Sequence, residues 1–223
     1  GLAMEDMLPA IHRAQELPAV RYVGLHFHIG SQITDLGPFE QLAQRVNELQ
    51  NRLDAAGIKT ESINVGGGLG VDYAQPEANP IPDFDSYFRI FKDHLQLRNG
   101  QQVHFELGRS IVAQCGALIS RVLYVKHGHA KDFVIVDAGM SDLLRPALYG
   151  SAHQARNLSH PEAPCARFDI VGPICESSDV FLSDYTLPSP QRGDLIAFKS
   201  AGAYGEIMAS GYNCRQLPES WMD

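Results

Sequence analysis

Residues 62–73 read SINVGGGLGVDY, a short apolar run followed at once by three glycines. Glycine loses more backbone freedom on folding than any other residue, so three in succession call for something too close to admit a methyl group. The run before them is strand-like, and a helix-forming segment stands on either side. Upstream, FEQLAQRVNELQNRLDAAG (39–57) carries apolar residues at helical spacing and stops on a glycine. Downstream, FDSYFRIFKDHLQLRNG (84–100) repeats that spacing, and the polar, proline-rich YAQPEANPIPDF (73–84) reads as a loop past the strand end. Further out lie two more strands, RYVGLHFHI (21–29) and QVHFELG (102–108), and an opening helix, EDMLPAIHRAQEL (5–17). Alternation of strand and helix at this spacing predicts parallel strands joined by crossover helices.

The pattern changes after Gly116. ALISRVLYVKHG, DFVIVDAG, ARFDIVGPI and DLIAFKSAGAY are β runs separated by glycine and proline, which predicts a mostly antiparallel β domain. Two domains are expected, residues 1–113 and 114–223. The first offers three strands and opens on a helix. A small open α/β sheet and the tail of a barrel both fit, and the pattern alone leaves the choice open.

Composition narrows the function classes. The chain has 223 residues, 44% of them hydrophobic and 20% charged, as in an ordinary soluble globular protein. A net charge of −8 argues against a nucleic-acid surface, which needs a basic face. No apolar run is long enough for a membrane span, and the amphipathic opening lacks the basic n-region of a secretion signal. Cys115, Cys165, Cys175 and Cys214 show no C-x-x-C spacing, so reduced thiols in a cytoplasmic protein are expected.

Parallel α/β proteins place their chemistry at the strand ends. His26 and His28, two apart in GLHFHIGSQ, are expected to share one face of a strand, as structural histidines or as half of a metal site. The later strand ends carry Gly66, Gly67 and Gly68 and then Glu106 to Arg109, a poor ligand set, so no metal is expected. Backbone N–H groups of a glycine turn suit an anion instead, and Ser31, Gly108 and Arg109 add a hydroxyl, an N–H and a cation. A tight structural turn is the plainer reading of the same glycines. Glu106 would repel a phosphate and should face something cationic, such as a protonated heterocyclic nitrogen. Phosphate at one end, pyridinium at the other and an imidazole to stack on the ring describe pyridoxal 5′-phosphate (PLP).

GLHFHIGSQ, NVGGGLGVDY, FELGRSIV, VDAGMSDLLRPALYG, VGPICESSD and SAGAYGEIMASGYN occur in that order, and together the chain resembles the diaminopimelate decarboxylase family. That resemblance implies an α/β fold, the C-terminal portion of a PLP-binding (β/α)8 barrel followed by a mostly antiparallel β domain. It also implies that His28 stacks on the ring, that Ser31, Gly66, Gly67, Gly68, Gly108 and Arg109 serve the phosphate, and that Glu106 pairs with the ring nitrogen. Arg109, Arg145 and Tyr149 are implied to hold a distal carboxylate, Glu176 a distal ammonium, and Tyr204 to close over cofactor and substrate. Cys175 is the implied proton donor, and Cys175 and Glu176 are implied to reach a partner subunit's site in a homodimer.

The activity so implied is decarboxylation of meso-2,6-diaminopimelate to L-lysine. A sister decarboxylase or racemase acting on another amino acid and an inactive fragment are its rivals. Three departures stand out. Leu107 replaces the usual proline of the E-P-G-R motif, Ser178 replaces a glycine, and the family's Schiff-base lysine belongs to a strand upstream of this chain. Lys59, Lys92, Lys126, Lys131 and Lys199 match none of its context, so the chain alone is expected to be inactive.

Overall fold

Apolar spacing decides the helices of the first unit. Helix α1 (Met7–Gln15) buries Met7 and Ile11. Helix α2 (Gly37–Ala55) starts with Pro38 in its first turn and buries Phe39, Leu42, Ala43, Val46, Leu49, Gln50 and Leu53, a stripe at intervals of three and four. It ends before Gly57, whose φ of +71° is the left-handed cap that glycine adopts without strain. Helix α3 (Phe84–His94) is capped by Asp83, whose carboxylate accepts the Ser86 N–H at 2.9 Å. These elements belong to a computed structural model that describes residues 1–222. The chain packs as two units, Gly1–Gly70 with Asp83–Leu107, and Val71–Pro82 with Gly108 onward.

In the first unit, β1 (Gly24–His26), β2 (Ser62–Asn64) and β3 (Gln102–His104) form a parallel sheet in that order. The chain therefore runs β1–α2–β2–α3–β3, two successive crossover units, as the alternation predicts. Leu25, Ile63 and Val103 lie side by side across the sheet and join Phe39, Val46, Tyr87 and Phe91 in one apolar cluster under α2 and α3. One residue on, His26, Asn64 and His104 form the adjacent row. Side chains alternate between faces along a strand, so this polar row turns away from the helices.

The strands are much shorter than the runs of sequence that signal them. Helix α3 also stops at His94 rather than continuing to residue 100. The reason is distant in sequence: Asn47 Nδ2 donates to His94 O at 2.7 Å and Asn47 Oδ1 accepts the Gln96 N–H at 2.8 Å. One side chain on α2 thus satisfies the end of α3 and turns the chain away.

The second unit holds a six-stranded sheet of β4 (Leu118–His127), β5 (Asp132–Val136), β6 (Ala155–Asn157), β7 (Cys165–Val171), β8 (Val180–Pro188) and β9 (Leu195–Phe198). Its order is β6-β9-β4-β5-β7-β8, antiparallel throughout except for the parallel pair β5–β7. Val122, Val134, Val136, Phe168, Ile170, Phe181, Ile196 and Phe198 make its core, with the rings of Phe181 and Phe198 stacked 4.4 Å apart. The short helix α4 (Arg109–Val112) precedes it in sequence, and α5 (Arg145–Tyr149) lies between β5 and β6. Residues 71–82 and 108–113, read from sequence with the first domain, pack here because Val71, Tyr73, Ala113 and Ala203 share a small apolar cluster.

Candidate active site

Beyond the last residues of β1, β2 and β3, the ladder runs on through Phe27 N–H to Asn64 O (2.8 Å), Val65 N–H to His104 O (3.0 Å) and Glu106 N–H to Gly66 O (2.8 Å). These bonds bring His28, the glycine turn and Glu106 together at the C-terminal strand ends. A Cβ at Gly66 would stand 2.2 Å from Phe27 O, at Gly67 2.2 Å from Glu106 O and at Gly68 2.6 Å from Gly30 O. Neighbouring backbone, then, is what excludes a methyl group from the turn. Gly66 and Gly68 also adopt positive φ, +72° and +114°. The Gly66 N–H is taken by Asn64 Oδ1 at 2.9 Å, whereas the Gly67 and Gly68 N–H groups meet no acceptor among the described residues. Glu106 is half-exposed; its Oε1 accepts from Asn64 Nδ2 at 2.9 Å and its Oε2 lies 3.0 Å from His26 Nε2.

The second unit gathers a different set. Arg109 and Arg145 are only 8% and 4% exposed. Arg109 Nη1 donates to Tyr73 Oη at 2.6 Å, and its guanidinium lies 5.3 Å from the Tyr204 ring centroid. Arg145 lies 5.3 Å from the Tyr73 centroid and 5.7 Å from that of Tyr149, and its Nη2 donates to Ser151 Oγ at 3.1 Å. Burial pushes the Arg145 pKa down; the Tyr73 phenol opposes this and the Arg109 charge adds to it. The group stays cationic at any physiological pH. Gly108 leaves room for Tyr204, whose Oη would stand 3.0 Å from a Cβ there. Cys175 and Glu176 sit exposed on the turn between β7 and β8. Asp179 anchors that turn, accepting the Met140 N–H at 2.6 Å and the Ile174 N–H at 2.7 Å.

The chain is similar to known decarboxylases. Residues 22–202 match the model described as pyridoxal-dependent decarboxylase, C-terminal sheet domain. The chain belongs to this family. It is 58% identical over 221 residues to a diaminopimelate decarboxylase of Bacteroides thetaiotaomicron, covering 99% of this chain and 57% of that one. A diaminopimelate decarboxylase of Pseudomonas aeruginosa is 43% identical over 215 residues, 96% of this chain and 51% of its own. The crystal structure of the Helicobacter pylori enzyme complexed with L-lysine superposes with a TM-score of 0.88 at 41% identity, over 97% of this chain and 53% of that one. The chain thus spans about half the length of the relatives it matches.

The family's cofactor is PLP, and the strand ends of the first unit suit it. Two consecutive N–H donors answer a phosphate, a carboxylate answers a protonated ring nitrogen, and His28 supplies an imidazole beside the turn, its Nδ1 3.2 Å from where a Gly66 Cβ would be. Ser31 follows two residues past Ile29 and is exposed. Lys59 is placed beside Val23, Ser62 and Gln102, at the opposite ends of the same strands, and Lys92 lies in the last turn of α3. No group of three or more His, Cys, Asp or Glu side chains among the described residues is placed to hold a metal ion.

Sequence reasoning passed over Asn64, which bonds both the turn and Glu106, and Tyr73, which lies between two guanidiniums. Both stand inside the very stretch that decides the fold. It also passed over His26 as a partner of Glu106, over His153, whose ring meets Tyr73 edge-on at 5.0 Å, and over Asp179. For Asn64 a signal existed: at a strand end two residues before a tight glycine, an amide is well placed to bond the turn.

Proposed function

We propose that this chain is the C-terminal part of a PLP-dependent decarboxylase that converts meso-2,6-diaminopimelate to L-lysine and CO2. The observation that carries the reading is the Glu106 carboxylate, fixed by Asn64 and His26 at the strand ends that also hold the free Gly67 and Gly68 N–H pair. A carboxylate beside an anion cradle makes sense only when the ligand is cationic at one end and anionic at the other. Sequence identity of 58% to a diaminopimelate decarboxylase supports the choice of substrate.

In this reading Gly67 and Gly68, with Ser31, Gly108 and Arg109, serve the phosphate; Gly66, expected from sequence to join them, gives its N–H to Asn64 and shapes the turn instead. His28 stacks on the ring and Tyr204 closes over it. When bound, PLP supplies the electron sink for the pair left behind as CO2 departs. Glu106 keeps the proton on the ring nitrogen that makes the sink effective. Arg109, Arg145 and Tyr149 orient the substrate through its distal carboxylate, and Glu176 receives the distal ammonium. The Cys175 thiol hands its proton to the α-carbon and is left as thiolate. A shorter amino acid would leave buried charges unpaired, which is the basis of selectivity.

The exposed turn carrying Cys175 and Glu176 supports a homodimer in which that turn completes a partner's site. Four free cysteines support a cytoplasmic setting, and the net charge of −8 argues against nucleic-acid or anionic-membrane partners. Among the described residues no helix is long and apolar enough to cross a membrane. The test is a substrate panel on the full-length protein with PLP, following CO2 and product amine. Release of L-lysine from meso-diaminopimelate, with ornithine, arginine and lysine turned over at least a hundredfold less well, is the expected result; preference for any of those three overturns it.

A further inference from the structure

Arg145 is buried to 4% exposure, yet its polar partner is a neutral hydroxyl, and its Nε meets no acceptor among the described residues. No carboxylate forms an ion pair with it among those residues, and a second cation, Arg109, stands close enough to disfavour its charge. A lone buried guanidinium beside another is expensive to keep, and it is normally paired with an acid. Here the space between the two is filled by Tyr73. Its hydroxyl oxygen accepts from Arg109 Nη1 at 2.6 Å and its O–H donates to Ala203 O at 3.3 Å. Its ring lies 5.3 Å from Arg145 and 5.9 Å from Arg109, and the buried His153 meets the ring edge-on.

A tyrosine does here what an aspartate cannot. An acid between the guanidiniums would hold them but neutralise them, and the pair would then have little attraction left for an anion. The electron-rich ring face and the phenol oxygen hold both by cation–π attraction and one hydrogen bond while leaving their charge intact. We infer that Tyr73 is a positioning residue that holds Arg145 beside Arg109 as a receptor for the distal carboxylate of the substrate, and so sets selectivity for ligands that carry one. The inference rests on the proposed carboxylate-binding role of the two arginines.

L-lysine and cadaverine differ by one carboxylate and serve as probes. Their inhibition constants are measured on the full-length PLP enzyme, in the wild type and in Tyr73→Phe, Tyr73→Leu and Arg145→Ala. In the wild type L-lysine should bind at least tenfold more tightly than cadaverine. Tyr73→Phe keeps the ring and loses the hydrogen bond, so L-lysine should weaken about tenfold while cadaverine is unchanged; Tyr73→Leu loses both, and discrimination should vanish as it does in Arg145→Ala. Equal binding of the two probes by the wild type would refute the carboxylate site itself. Discrimination that disappears in Arg145→Ala but survives in both Tyr73 variants would refute the role of Tyr73 alone. Parallel weakening of both probes in Tyr73→Phe would make the residue merely structural and equally overturn the inference. Should Tyr73→Leu fail to fold by circular dichroism, Tyr73→Phe decides.

Discussion

The Asn64 side chain ties Glu106 to the glycine turn: its Nδ2 donates to Glu106 Oε1 at 2.9 Å while its Oδ1 accepts the Gly66 N–H at 2.9 Å. One amide thereby sets the spacing between the carboxylate proposed for the ring nitrogen and the N–H groups proposed for the phosphate. A hydrogen bond to a charged group contributes roughly 1.5–3 kcal/mol. Asn64→Ala should therefore raise the PLP dissociation constant of the full-length apoprotein about tenfold. Asn64→Asp should do more harm, because it replaces the donor to Glu106 with a second carboxylate that repels it. Absorbance titration with PLP reads both, and unchanged affinity in the alanine variant would remove Asn64 from the binding machinery.

Gly67 has no left-handed φ to protect, only the carbonyl of Glu106, 2.2 Å from where a Cβ would sit. Gly67→Ala must push the third strand end away, at a cost of roughly 1–3 kcal/mol for overpacking. Gly57→Ala is the matched control: its Cβ would meet open space, and the strain of φ +71° alone costs about 1–2 kcal/mol. Both should lower the thermal midpoint, but only Gly67→Ala should weaken PLP binding. Equal effects on PLP would mean that the turn is not part of its site.

The alternation of α2, β2 and α3 was legible because each buries a periodic face, and periodicity is a local property of the sequence. Element ends were not, since they depend on distant partners: Asn47 stops α3 from a helix forty-seven residues upstream of His94. Strands β6 and β8 escaped notice for different reasons. The first has three residues, and the second is interrupted at Asp184, whose φ of +51° sits opposite an irregular register on β7. The site divides in the same way. His28, Gly66 to Gly68 and Glu106 stand at strand ends, where topology alone locates chemistry. Asn64, Tyr73 and Asp179 act through hydrogen bonds and ring contacts that exist only once the chain has folded.

Asp179 is the anchor of the turn that presents Cys175 and Glu176. Its two oxygens accept the Met140 and Ile174 N–H groups, and a Cβ at Gly172 would stand 2.3 Å from Oδ2, so the backbone is closed tightly around the carboxylate. Burial raises its pKa, with those hydrogen bonds opposing. Asp179→Ala should leave both donors without an acceptor, a loss of roughly 1–3 kcal/mol for each buried group. Asp179→Asn retains one acceptor oxygen and should lose less. Hydrogen exchange at the Ile174 amide should quicken in the order wild type, Asn, Ala; protection unchanged in the alanine variant would show that the turn is held by other contacts.

His153 gives the second unit an acid-sensitive point. Its ring is 1% exposed, its Nδ1 lies 2.9 Å from Lys199 O, and burial lowers its pKa from the ordinary 6.5, with the Arg145 and Arg109 charges adding to the effect and the Lys199 carbonyl opposing it. The unfolded chain takes up a proton near pH 6.5, while the folded one resists until its lower value is reached. Between those values the unfolded state binds more protons, so stability falls as pH drops, with a limiting slope of about 1.4 kcal/mol per pH unit for this one group. Above 6.5 neither state is protonated and the contribution is flat. His153→Gln removes the titration and should flatten the dependence of the urea midpoint on pH between 6.5 and 5.5, whatever it costs in absolute stability. Parallel curves for wild type and variant across that window would mean that His153 does not supply the acid sensitivity.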